Sequence, residues 1–81
     1  MTGEQLLTIL ADCSGNRDLT DPGTDALHRT FEELGLDSLA VMESATRVER
    51  EFGVALPDER IVDLAGPAAL LAEINSLAEH A

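Results

Sequence analysis

Gly35-Leu36-Asp37-Ser38-Leu39 sets a serine hydroxyl directly behind a carboxylate and a short step after a glycine. A serine so placed could serve as an acyl-transfer nucleophile, as a helix cap, or as the acceptor of a modifying group. The first role needs a Gly-x-Ser-x-Gly elbow, and Ala40 stands where the second glycine belongs. A triad of Ser38, His28 and an aspartate would also need an oxyanion hole and a substrate cleft, which a chain of 81 residues has little scaffold to frame. The residues therefore predict a protein that is not itself an enzyme.

Metal chemistry fails on spacing. With Asp21 as the first position of a calcium loop, Asp25 and Glu32 fall at the fifth and twelfth positions. Gly23 then occupies a ligand position, and Ala26 replaces the glycine that the loop's sharp turn demands. His28 and His80 lie far apart, neither in a ligand-spaced pair, and both read as surface histidines. No metal site is predicted. Cys13 stands alone, so no internal disulfide forms. Its helical setting predicts a small buried hydrophobe rather than a reactive thiol, because nothing electropositive surrounds it.

The elements that must hold Ser38 are helical. Thr2 and Gln5 have the spacing of a capping box. Leu6, Leu7, Ile9, Leu10 and Cys13 follow with helical period, predicting a first helix over residues 3–14 that Gly15-Asn16 ends. From Gly15 to Asp37 turn signals dominate, notably Asp21-Pro22-Gly23. Leu19, Leu27, Phe31, Leu34 and Leu36 read as anchors pinning this long loop to the core, with a helical turn over Thr30 to Leu34. A second helix is expected from Ser38 to Phe52. Its apolar stripe comprises Val41, Met42, Ala45, Val48 and Phe52, and Leu39 shares the opposite face with Glu43, Thr46, Arg47 and Arg50.

Gly53 closes that helix. Pro57 suits the first turn of a short third piece, with Ile61, Val62 and Leu64 as its apolar side. Gly66-Pro67 opens the last helix, in which Leu70, Leu71, Ile74, Leu77 and Ala78 keep the period. No strand-like alternation or internal repeat interrupts this pattern. The expectation is one all-α domain over residues 1–81: a small bundle of three main helices and one short one, with a long loop between the first two.

Asp37 can cap the second helix, and the free N–H groups and dipole at that end favour a phosphate carried on Ser38. These residues alone leave both readings open, cap or attachment point.

A wider stretch carries more information. Phe31-Glu32-Glu33-Leu34-Gly35-Leu36-Asp37-Ser38-Leu39 resembles the attachment motif of acyl carrier proteins. The likeness continues through Val48-Glu49-Arg50-Glu51-Phe52-Gly53-Val54 and Leu56-Pro57-Asp58 to Pro67 and Leu70. In that family the serine of Asp-Ser-Leu receives 4′-phosphopantetheine, whose thiol holds acyl groups as thioesters. The resemblance implies Ser38 as the covalent cofactor site, with Asp37, Leu39 and Glu43 recognised by partners. Those partners would be a phosphopantetheinyl transferase, ketosynthase and acyltransferase-type enzymes, and tailoring enzymes, met by a monomeric carrier. Arg47 and Arg50 interrupt an otherwise acidic helix, which is more similar to carriers of type II (aromatic) polyketide synthases, and hence antibiotic pathways, than to fatty-acid carriers. A fatty-acid or peptidyl carrier is the alternative within the class. A small acidic interaction module, with Asp37-Ser38 only a cap, is the alternative outside it. Gly66 departs from the family, which often has a capping Thr or Ser there. The departure bears on the last helix's cap, at a few tenths of a kcal/mol by rough reckoning.

Composition fits these expectations. Sixteen Asp and Glu stand against five Arg, for a net charge of −11, which repels nucleic acid and anionic membranes. The same field keeps a protein soluble and steers it toward basic partners. Hydrophobic residues make up 44% of the chain with only Phe31 and Phe52 aromatic, so the core must be aliphatic. The N-terminus has no basic region and no apolar run reaches a membrane span, so a cytoplasmic location is expected.

Overall fold

The computed structural model describes residues 1–79; His80 lies outside them. Four α-helices follow one another: α1 (Gly3–Ser14), α2 (Ser38–Phe52), the single-turn α3 (Asp58–Ile61) and α4 (Pro67–Glu79). The described residues contain no strand. α1 starts with the expected reciprocal cap: Thr2 Oγ1 accepts from the Gln5 N–H at 3.2 Å, and Gln5 Oε1 accepts from the Thr2 N–H at 2.9 Å. It ends where Gly15 turns left-handed at φ 76°, a conformation that costs a glycine nothing.

Between α1 and α2 the chain makes three 3₁₀ turns, Arg17–Thr20, Pro22–Thr24 and Ala26–His28. Asn16 and Asp21 cap the first two by accepting from the N–H groups of Asp18 and Gly23. The predicted turn after Thr30 is present as hydrogen-bonded turns rather than a helix. Thr30 Oγ1 accepts from the Glu33 N–H and Glu33 Oε1 accepts from the Thr30 N–H, both at 3.0 Å. The Thr30 backbone donor, helped by its hydroxyl, holds the Glu33 carboxyl below its usual range. Leu19, Phe31, Leu34 and Leu36 are buried as expected, Leu27 only half so, and Ala26 joins them. The loop is thus a tethered layer of the core.

α2 spans the expected residues and buries Val41, Ala45 and Val48, which belong with Leu6, Leu10 and Leu70 to one continuous cluster. Two positions differ from expectation. Ser44 is fully buried, its hydroxyl donating to the Ala40 carbonyl one turn back at 2.8 Å, which lets a polar residue sit on the apolar side. Phe52, at the helix's last turn, stays partly exposed. Pro57 is the N-cap of α3 rather than a first-turn residue. Val62 is a further correction, because the single turn of α3 ends before it and leaves it 69% exposed.

Gly66 has a different role from a missing cap. A Cβ there would overlap the carbonyl oxygen of Arg29, so the loop can lie against the start of α4 only if residue 66 lacks a side chain. The neighbouring Phe31 N–H donates to the Ala65 carbonyl at 2.9 Å and locks the same junction. Pro67 follows as the first residue of α4. Cys13 is half-buried and packs against the core.

Candidate functional site

Asp37 and Ser38 meet at the start of α2, and their geometry separates two roles. Asp37 is the N-cap: its Oδ1 accepts from the Ala40 N–H at 2.8 Å. That bond occupies one carboxylate oxygen and leaves Ser38 free as the first helical residue. Ser38 is exposed, and its hydroxyl makes no hydrogen bond to the described residues. The other serines are not so placed. Ser44 is buried, Ser14 accepts from the Asn16 N–H, and Ser76 sits within α4.

Beside Ser38 opens a cavity of about 160 Å³ lined by Phe31, Leu36, Val41, Met42, Ile61 and Leu64. Asp37, Ser38 and Val62 are its exposed members. Leu39 (65% exposed) and Glu43 lie on the outer face of the same helix, so the structure brings all four predicted residues to one end of the bundle. Val62 joins them across the cavity and was missed, because its neighbours Ile61 and Leu64 made it read as core.

Arg47 does not join that face as a free cation. Its guanidinium reaches Asp12 on α1 at 3.1 Å and Glu51 at 3.5 Å, and the Asp12 hydrogen bond, ahead of the Glu51 charge, raises its pKa. It is a clasp between α1 and α2. His28 lies away from Ser38 with Nδ1 2.8 Å from Asp25 Oδ1. Among the described residues no three His, Cys, Asp or Glu gather as a metal site, and no helix is long and apolar enough to cross a membrane.

Fold and site together define a class: a small helical bundle that presents an exposed serine at a helix start beside an apolar recess. The family profile of the phosphopantetheine attachment site matches residues 4–74. The granaticin polyketide synthase acyl carrier protein of Streptomyces violaceoruber is 52% identical over 93% of this chain and 88% of its own. The actinorhodin polyketide synthase acyl carrier protein of Streptomyces coelicolor is 43% identical over 100% of this chain and 95% of its own. The solution structure of the actinorhodin carrier bearing a 3,5-dioxohexyl triketide mimic superposes with a TM-score of 0.86 at 38% identity, covering 100% of this chain and 94% of that one. The malonyl form of that carrier gives 0.84 at 41% identity, covering 100% and 95%. The chain belongs to the phosphopantetheine-attachment family, among the acyl carrier proteins of polyketide synthases.

The residues present fit the group that this family carries. The start of a helix of 15 residues offers N–H groups and a positive dipole end to a phosphodiester. The recess offers apolar lining to whatever the arm holds. When bound, the arm supplies a terminal thiol that holds acyl groups as thioesters.

Proposed function

We propose that Ser38 is the residue that carries 4′-phosphopantetheine, and that the chain acts as a single unit delivering acyl or polyketide intermediates between the enzymes of a polyketide synthase. The observation carrying this reading is an exposed, unengaged hydroxyl at the first residue of α2, on the rim of an apolar cavity. Asp37 keeps the helix start rigid through Ala40 and leaves a carboxylate edge for a transferase to recognise. Leu39 and Glu43 dock partner enzymes, the first by burial and the second by charge, in contacts weak enough to release the carrier after each step. Val62, exposed at the same rim, adds a second apolar contact. The chain supplies no catalytic side chain of its own. Phosphopantetheinyl transferase, ketosynthase, acyltransferase-type and tailoring enzymes are the partners, each acting on the arm rather than on the core.

Incubation with coenzyme A and a broad-specificity phosphopantetheinyl transferase tests this by intact mass. The expected result is one phosphopantetheine per chain, dependent on the transferase. An unchanged mass for the folded protein overturns the proposal and leaves Asp37-Ser38 as a helix cap.

A further inference from the structure

The net charge of −11 conceals a local reversal. Of the five arginines, Arg47 bridges Asp12 and Glu51, Arg60 binds Glu73 at 2.7 Å, and Arg29 donates to the Thr24 carbonyl. Arg17, in the first 3₁₀ turn, and Arg50, on α2, are exposed and their guanidinium groups have no partner among the described residues, so Arg50 is the unpaired cation of α2. The sequence around it explains why. The helical neighbours at the i±3 and i±4 spacings are Thr46, Arg47, Gly53 and Val54, so no carboxylate lies one turn away. The adjacent acids are committed elsewhere: Glu49 accepts from the Leu56 N–H at 3.0 Å and Glu51 takes Arg47. An unpaired cation persists in a protein rich in anions because its helix offers it none.

Its position gives it meaning. At 100° per residue Arg50 falls ~20° from both Leu39 and Glu43, on the outward face of α2. At 1.5 Å per residue it stands ~10 Å beyond Glu43 and ~18 Å beyond Ser38. Along one ridge, starting at the attachment end, the order is therefore apolar contact, negative charge, positive charge.

We infer that Arg50 is a specificity-determining contact, and that the partner fitting this face is an acyl-accepting enzyme with a basic group at the mouth of its arm tunnel and a carboxylate ~10 Å further along the same rim. This rests on the carrier reading above. A uniformly acidic helix attracts a basic rim in either direction, whereas a ridge with two signs fixes which way the carrier lies. It also disfavours close docking where a basic group of the rim faces Arg50 directly, even though the net charge draws the two together at long range. Arg suits the task because its planar fork binds a carboxylate through two parallel hydrogen bonds.

The test sets this against the plain acidic-face account, because the two predict opposite signs for one substitution. The probe is a polyketide condensing enzyme that the wild-type carrier alkylates when its arm ends in a bromoacetyl group, the enzyme's cysteine thiolate displacing bromide. Arm attachment is read first by mass, so a failure of the carrier reading shows there and is not mistaken for a docking result. With fully loaded, folded carriers, Arg50→Gln should slow cross-linking about two- to fivefold and Arg50→Glu more, both effects shrinking above ~0.15 M salt. Replacing the opposing carboxylate of the enzyme by arginine should restore Arg50→Glu but not Arg50→Gln. Melting of each loaded variant separates this from the help a last-turn arginine gives the helix dipole. Cross-linking by Arg50→Glu as fast as wild type or faster, while Glu43→Arg is slowed, overturns the inference. So does an unchanged rate for Arg50→Gln.

Discussion

At the residue scale the division of labour is between adjacent side chains, Asp37 holding the helix and Ser38 staying free. Asp37→Ala should cost ~0.5–2 kcal/mol of stability, seen as a lowered melting temperature, and should slow loading of the folded fraction as well. Loading that stays normal in the folded fraction would make Asp37 a cap alone. Around the pair, Leu39→Ala should weaken partner docking with little salt dependence. Glu43→Lys should lower the association rate in a way that salt screens above ~0.15 M, and stopped-flow binding at two ionic strengths distinguishes them. The attachment role proposed for Ser38 came from the family resemblance, whereas the Asp37 cap and the outward face shared by Leu39 and Glu43 were legible in the sequence because helix capping and helical period are local rules. Val62 was not, since a one-turn helix gives no period to read. The role of Arg47 was hidden too, because its partner Asp12 belongs to another helix.

At the scale of elements, the bounds of α1 and α2 followed from their caps and terminal glycines, Gly15 and Gly53. What the sequence concealed was how the loop meets α4. Gly66 read as a cap lost, whereas it is the point where two backbones touch. The two readings predict opposite outcomes for Gly66→Thr. A cap oxygen gained would stabilise α4, but a side chain pressed on the Arg29 carbonyl should destabilise the fold by ~1–3 kcal/mol in urea denaturation. The damage should spread to the Ser38 cavity, because Phe31, which lines it, is tied to Ala65 beside the clash.

For the whole molecule, charge governs both stability and encounter. Only Asp12, Glu51 and Glu73 of the sixteen carboxylates pair with arginine among the described residues, so most of the repulsion is unrelieved. Raising sodium chloride from ~10 to ~150 mM shortens the Debye length from ~30 to ~8 Å. The melting temperature of the apo protein at pH 7 should therefore rise over that range; a flat or falling curve would mean that the acidic surface carries no stability cost. The same field steers the carrier toward basic rims. The central claim, however, concerns one oxygen atom. Fragmentation mass spectrometry of the loaded chain, run beside Ser38→Ala, tests it most directly. The account predicts all phosphopantetheine on the peptide containing Ser38 and none on the variant, which should keep its fold. Phosphopantetheine mapped to Ser14, Ser44 or Ser76, or loading of Ser38→Ala at the wild-type level, would contradict it.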